Sequence, residues 1–498
     1  MSAGPVVLVV DVAEAAVLEP KPWRAEVETR LRGGARMITM FGRPEGSEVV
    51  VTAVVQDDAG ALATVRMRVD PATGYHALTE QWPFMHCFER ELFEQHGVRI
   101  AGHPWLKPIR FEHGGPAAHD AYPFYPVEGK EVHEVAVGPI HAGVIEPGSF
   151  RFMCLGEQVH HLEIHLGYQH RGVEALLLRR PTRSLAPLVE TIAGDTSVAH
   201  TWAYAAALEA LAGHDVRLDV DAARGVMLEL ERVAMHLAGL SGLAADVGFL
   251  QGATTYGRLR TTAINTSMRL CGSRFGRGAV RPGGLGVRWA EGDGPRDDGA
   301  ITTAELRSNL ELLRHDGAII DDCFLAARTV RHRLSDVGTL SAERSKELGL
   351  VGMTARACGI AIDQRAFGGG VYGEHSVEVV TLPTGDCWAR ALIRIEEIRR
   401  SLGWIERVLG AHREVAPSRQ PIGELAPERL VVSMCESWRG EVVHCLETDA
   451  AGALVHYKVQ DPSFRNWMGL AIAVRENEIS DFPICNKSFD LSYCGSDL

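Results

Sequence analysis

The chain has 498 residues, 46% of them hydrophobic, and a formal net charge of -13. That length supports two or three domains around a sizeable buried core. The acidic balance, with no long basic run, argues against a nucleic-acid partner, and no stretch of about 18 or more apolar residues predicts a transmembrane helix.

Val6–Val10 is too short for a signal-peptide core, and Asp11 ends it; it reads as a first strand. The 10 cysteines are scattered singly, with no C-x-x-C. They offer no disulfide framework, zinc ribbon or thiolate cradle for a cluster, and they fit a reduced, cytoplasmic setting.

Taken in order, Glu48–Gln56 and Ala63–Val69 are β-rich runs joined by the turn Asp57–Gly60. Asp70–Gly74 is a second turn, and Trp82–Gly97 predicts a helix stopped by glycine. Residues 1–125 therefore form an α+β unit. Residues 112–132 are rich in Pro, Gly and His and read as a linker.

From residue 133 onward, Pro/Gly turns separate two alternating runs. Phe150, Phe152 and Cys154 make the first; Val159, His161, Glu163 and His165 make the second. Period-two alternation between turns predicts short antiparallel strands. The stretch closes on Gly167–Glu174, just before an apolar helical pattern. Val226, Leu230, Val233, Leu237 and Leu240 recur at helical spacing, as do Trp388, Leu392, Ile395, Ile398, Leu402, Ile405 and Leu409. Further helices are expected near 198–212, 254–272 and 303–334. Glu396 and Arg400, four apart, predict a surface ion pair.

Several motifs carry a family resemblance. The stretch GPIH…EPG…GYQHRGVEAL, containing His141, His170, Arg171 and Glu174, resembles the large subunit of complex I-related, membrane-bound nickel–iron hydrogenases. These are the formate hydrogenlyase and hydrogenase-4 type. The stretch equally resembles the homologous 49 kDa (D) subunit of respiratory complex I. Phe88–Phe93 with Gly102–Leu106 resembles the end of the complex I 30 kDa (C) subunit, fused ahead as in formate hydrogenlyase-type proteins. Glu231–Leu237, Ser273–Gly284, Ala357–Asp363, Gly385–Arg399 and Asp461–Trp467 extend the resemblance in the family's order. It implies an α+β N-terminal domain at 1–125, a linker region at 112–132, and a mainly helical bundle with a small antiparallel sheet at 133–498.

A nickel–iron site needs four soft thiolates from two C-x-x-C pairs. By resemblance the first pair falls on Ala193 and Thr196, and the second on Ser492 and Gly495. No cysteine stands at any of the four, so the nickel–iron site and nickel-dependent hydrogenase activity are expected to be lost. The quinone pattern also departs. After His141, the second histidine position is Ile145; the tyrosine position lies close to Thr182, and the histidine beside the terminal cluster falls at Gly276.

The remaining candidates for catalysis are His141, Asp195, His200 and Asp490. Asp195 reads either as a proton carrier in the vacated pocket or as a helix N-cap. His200 reads as a proton relay or as a satisfied helix histidine. By resemblance, Arg171, with His170 and Glu174, faces a [4Fe-4S] cluster in a partner subunit; the alternative is a structural pair between Arg171 and Glu174. The resemblance implies a peripheral oxidoreductase component on the cytoplasmic face of the inner or plasma membrane. Its implied partners are a complex I B-like iron–sulfur small subunit, a ferredoxin-like subunit, membrane-arm subunits and a quinone. The alternatives are a non-catalytic scaffold or conformational coupler, and a divergent quinone-reactive subunit.

Overall fold

A computed structural model describes residues 4–113, 119–129, 131–141, 145–181, 184–293, 297 and 299–498. Val6–Asp11 is a strand (β1), as its apolar run predicts, but its partner lies at the other end of the chain. Val6 faces Met434 and Asp11 faces Arg429 in an antiparallel ladder.

The N-terminal unit follows: α1 (Pro20–Arg32), β2 (Arg36–Glu45), β3 (Glu48–Gln56), β4 (Leu62–Val69) and α2 (His86–His96). β3 sits between β2 and β4, antiparallel to both. Its sequence, EVVVTAVVQ, is apolar on both faces because both faces are covered. On one face, Val51, Ala53 and Val55 meet Trp23 and Val27 of α1 and Phe88 and Leu92 of α2. On the other, Ile38, Phe41 and Val54 pack on Leu430, Val432 and Cys445 of the C-terminal sheet. α2 stops where Gly97 takes a left-handed conformation (φ 65°), the turn a Cβ would disfavour.

The stretch read as a linker is exposed over most of its described residues but is tied to the body at Tyr122 and Tyr125. Tyr122 is buried and stacks on His165, ring centroids 4.3 Å apart, and the Tyr125 amide donates to Glu163 at 2.7 Å. Its aromatic residues give it apolar area to bury, which a Pro/Gly reading overlooks. Residues 114–118 and 130 lie outside the described residues.

The expected front sheet has three antiparallel strands: β5 (Val132–Val137), β6 (Ser149–Leu155) and β7 (Gln158–His165), with β6 central. Phe150, Phe152 and Cys154 enter the main core as their alternation predicts. A bulge between Val159 and His161 breaks the alternation of β7. Val159 and Leu162 therefore share the core face, while Glu163 and His165 turn toward residues 119–125.

The helical body comprises α3 (Val173–Arg179), α4 (Ser197–Leu211), α5 (Leu218–Asp246), α6 (Leu250–Cys271), α7 (Thr303–Ala326), α8 (Gly370–Glu374) and α9 (Cys387–Ala411). The helix expected at 303–334 breaks at Ala327, after which a second short helix covers Arg328–Leu334. The expected Glu396–Arg400 pair does not form. Glu396 meets Arg399 at 3.0 Å, and Arg400 reaches Glu378 instead. Among the described residues no helix is long and apolar enough to cross a membrane.

Last come β8 (Arg429–Glu436), β9 (Glu441–Thr448) and β10 (Leu454–Gln460), which with β1 make a four-stranded antiparallel sheet in the order β1-β8-β9-β10. Three helices close the chain: α10 (Ser463–Ala473), α11 (Phe482–Phe489) and α12 (Tyr493–Asp497). α4 is wedged between this sheet and α5, so it is buried around almost its whole circumference and is Ala-rich and apolar on every side.

Charged groups cross this interior in a connected network. Glu397 of α9 takes Arg356 at 2.8 Å and His236 of α5 at 2.7 Å, and Arg356 also takes Glu436 at 2.7 Å. Removing one member strands its fully buried partners. Glu397→Ala should therefore destabilise the chain by about 3–5 kcal/mol, read as a large drop in the thermal or urea midpoint. A loss within about 0.5 kcal/mol, typical of surface changes, would show that the network is dispensable.

Candidate functional site

Four segments converge at the start of α4: the loop 190–196, the β8–β9 turn, the β10–α10 corner and the C-terminal arm. Asp195, in the loop, does not cap the helix. Its two carboxylate oxygens accept from the two terminal nitrogens of Arg439, each at 2.7 Å. The Thr196 hydroxyl donates to it at 3.1 Å. Burial pushes the Asp195 carboxyl up, but Arg439's charge and hydrogen bonds outweigh burial and hold it below the usual aspartate range. The helix N-terminus is served by Glu231 of α5, which accepts from the amides of Val198 (2.8 Å) and Ala199 (3.4 Å). Burial lifts the Glu231 carboxyl to about 8 against the pull of those amides.

Beside this pair runs a buried polar series. His200 Nε2 lies 3.2 Å from an Asp461 oxygen and its Nδ1 lies 3.1 Å from His444 Nε2; His444 Nδ1 lies 2.9 Å from the Tyr457 hydroxyl. One proton arrangement satisfies every contact. Tyr457 donates to His444, His444 to His200, and His200 to the Asp461 carboxylate. Burial raises the Asp461 carboxyl, but the bond from His200 and the charge of Arg439 hold it below its ordinary value. His200 is thus a fully satisfied core histidine that is also one link of a continuous hydrogen-bonded file.

The residues at the four positions where the resemblance would put nickel ligands are engaged or filled in other ways. Ala193 offers a buried methyl, and the Thr196 hydroxyl is already engaged by Asp195 and Arg439. Ser492 Oγ caps α12 by accepting from the Gly495 amide at 2.9 Å. A Cβ built at Gly495 would lie 2.6 Å from the Asp461 carboxylate carbon and 2.9 Å from Ser492 Oγ. No side chain fits there without displacing Asp461, so the space for a fourth ligand is filled. None of these four positions offers a thiolate, the donor that a soft metal prefers.

Asp490 ends α11 in a left-handed conformation (φ 57°), and Arg394 approaches its carboxylate at 3.8 Å. Burial raises its carboxyl against Arg439 and Arg394. Asp195 and Asp490 together line an open cleft of about 410 Å³, flanked by Arg260, Arg277, Phe275 and Trp438.

Arg171 and Glu174 do not pair. The Arg171 guanidinium donates to the carbonyls of Thr191 (2.7 Å), Ile192 (2.9 Å) and Cys494 (2.9 Å), while the residue stays solvent-exposed. His170 Nδ1 donates to the Asp497 carbonyl at 2.8 Å. Glu174 is engaged within the chain, by Lys458 at 3.0 Å and the Val459 amide at 2.9 Å. Lys458 supplies the buried charge that draws it in. His141 lies on the other side of the C-terminal arm, its Nε2 2.8 Å from the Gly148 carbonyl. Ile145 packs partly buried against the core. Gly276 holds φ 69°, and a Cβ there would meet Val198 at 2.4 Å, leaving no room for a histidine. Thr182 lies outside the described residues.

Sequence comparison now places the chain. The description "respiratory-chain NADH dehydrogenase, 49 Kd subunit" matches residues 246–422, and "respiratory-chain NADH dehydrogenase, 30 Kd subunit" matches residues 34–125. The two matches lie in one chain, the 30 Kd one ahead of the 49 Kd one. Formate hydrogenlyase subunit 5 of Escherichia coli strain K12 is 28% identical over 495 residues, covering 93% of this chain and 85% of that protein. The membrane-bound hydrogenase subunit alpha of Pyrococcus furiosus is 28% identical over 373 residues, covering 72% and 85%. NADH-quinone oxidoreductase subunit 4 of Thermus thermophilus is 29% identical over 390 residues, covering 72% and 92%. A chain of an archaeal membrane-bound sulfane sulfur reductase shares the fold, with a TM-score of 0.66 at 23% identity, over 75% of this chain and all of that one.

Arg439, His444 and Tyr457 were not among the residues singled out from sequence. The one local signal was polar residues inside otherwise apolar strand runs, such as His444 in EVVHCLET.

Glu231 gives a pH-dependent test of this fused protein. Its folded carboxyl titrates near 8 against the usual 4.5, so the folded state binds the extra proton between those values. Its contribution to stability is intact below pH 4.5 and is lost as pH rises through 8. Glu231→Gln removes that loss. From pH 5 to 8 the midpoint difference should move steadily in the variant's favour, by about 1.4 kcal/mol per unit at most. Parallel stability profiles would show that Glu231 is ionised when folded.

Proposed function

We propose that this chain is the large-subunit component of a membrane-associated complex of the hydrogenase and complex I lineage, working without nickel. The observation that carries the reading is Asp461 behind Gly495: a carboxylate stands where a thiolate side chain would have to be. The fused domains and the relatives' names support the type of assembly.

In this reading the chain sits peripherally on the cytoplasmic face of the membrane. It docks on an iron–sulfur small subunit, beside a ferredoxin-like subunit and the membrane arm. Arg171 presents its exposed side to a [4Fe-4S] cluster of the small subunit, while three carbonyls fix its orientation. The Asp461–His200–His444–Tyr457 file and the Asp490 carboxylate in the cleft hold and pass protons, while Asp195, kept ionised by Arg439, fixes the charge beside them. The Asp195–Arg439 pair favours a second reading, a conformational coupler with no redox chemistry of its own. A salt bridge whose arginine ties three segments together is a device for transmitting motion as much as for moving protons. A quinone is the remaining partner, and it would have to bind without the second histidine and tyrosine of complex I.

Two measurements test this. Elemental analysis of the purified complex should find no stoichiometric nickel, and dye-linked hydrogen uptake should be absent; about one nickel per chain would end the proposal. Arg171→Met should lower the midpoint potential of the nearest cluster by some tens of millivolts. The reduced cluster carries the extra negative charge, and about 1.4 kcal/mol corresponds to roughly 59 mV. Arg171→Lys, which keeps the charge but loses the carbonyl clasp, should cost stability and leave the potential nearly unchanged. An unmoved potential in Arg171→Met, with the complex intact, would reduce Arg171 to a structural tie.

A further inference from the structure

We propose that Glu374, His375 and His412 form a binding site for a zinc-class divalent cation, far from the nickel-ligand positions. The two histidines immediately follow helices α8 and α9, each with its amide bonded to the last turn, at Val371 and Val408. A tryptophan fixes each backbone. Trp404 Nε1 donates to the His375 carbonyl at 2.6 Å, and Trp289 Nε1 donates to the His412 carbonyl at 3.0 Å. The imidazoles are therefore carried on held backbone rather than on free loops.

One ring nitrogen of each histidine and a carboxylate oxygen of Glu374 all lie within 4.8 Å of one another. Independently, Nε2 of His375 and Nε2 of His412 are both buried without a hydrogen-bond partner. Buried polar nitrogens are nearly always satisfied, so two left without partners on the histidines of one cluster ask for a shared one. A cation bound by both rings supplies it.

The donor set selects the cation. Two imidazoles and one carboxylate suit zinc and its neighbours, with a fourth position open to water or to a partner's side chain. Calcium and magnesium, which want oxygen donors, are disfavoured. The carboxyl end of α9, 25 residues long, adds the negative end of a helix dipole. Of the cationic neighbours, Arg413 is paired with Glu291 at 3.0 Å and Arg400 with Glu378. Arg407 approaches the Ser376 carbonyl at 3.4 Å. Arg394 touches Asp490 at 3.8 Å and shares α9 with this site. The helix rise puts roughly 27 Å between Arg394 and His412, so the cation ties α8 to the far end of α9 and takes no part at the nickel-ligand positions.

The test uses the full purified chain and Co²⁺ as a spectroscopic stand-in for Zn²⁺. Wild type should bind one equivalent with a d–d envelope and no thiolate charge-transfer band, which separates this site from the chain's 10 cysteines. His375→Gln and His412→Gln should each weaken that equivalent at least about tenfold, and exposed Glu374→Gln should weaken it too. Zn²⁺ should raise the thermal midpoint of wild type but not of the His375→Gln/His412→Gln double variant, whose metal-free midpoint should match wild type. Equal binding by wild type and double variant, a thiolate-dominated spectrum, or no bound equivalent would overturn the proposal.

Discussion

The salt bridge between Asp195 and Arg439 is the contact on which the centre of the molecule depends. One guanidinium does several jobs at once. Its two terminal nitrogens hold the loop before α4, its Nε donates to the Asp490 carbonyl on the C-terminal arm, and its plane lies 3.9 Å over the Trp438 ring. Trp438 in turn donates to the Asp195 carbonyl at 3.0 Å. A metal held by four thiolates would cross-link these same segments. Here a planar fork of fixed charge makes the cross-link, with a bidentate geometry that lysine could not supply.

A second tier of polar contacts makes the C-terminal arm part of the core. Asp497 accepts from the amides of Gly167 and Gln169, both at 2.9 Å, and Arg171 offers its own amide to Leu498 at 2.7 Å. Arg110, from the N-terminal unit, donates to the Ser496 carbonyl at 2.8 Å. Glu174 and Lys458 extend the grip, because Lys458 also reaches Glu91 of α2 at 2.5 Å. The HRG loop therefore works mainly as a clasp, and any contact it makes with a partner subunit is built on that clasp.

The long helices were legible in the sequence because their apolar residues recur at helical spacing over many turns. The front sheet was legible because its turns carry Gly and Pro. α1, β2 and, in the four-stranded sheet, every strand but β1 were not read. β8 and β9 are buried on both faces, so they show no alternation to mark them, and Ser433 and His444 interrupt their short apolar runs. At the site, sequence pointed to Asp195, His200 and Asp490 but not to what they touch. Arg439 lies 244 positions from Asp195, and His444 lies 244 from His200. Nothing local encodes such pairings. The bulge in β7 had the same effect on a smaller scale, moving Glu163 and His165 off the face that strict alternation gives them.

The pairing of β1 with β8 fixes an order of events during synthesis. Val6–Asp11 leaves the ribosome well before its partner, residues 429–434, which is made more than 400 residues later. Ile38, Phe41 and Val54 wait for the same sheet. The N-terminal unit can form its own four-stranded sheet early, but it carries an uncovered apolar face and a loose leading strand until residues 429–448 have been made. Contacts this distant in sequence form slowly because the intervening loop must close first. The fusion of the two domains is thus also a commitment in folding: the half made first is finished by the half made last.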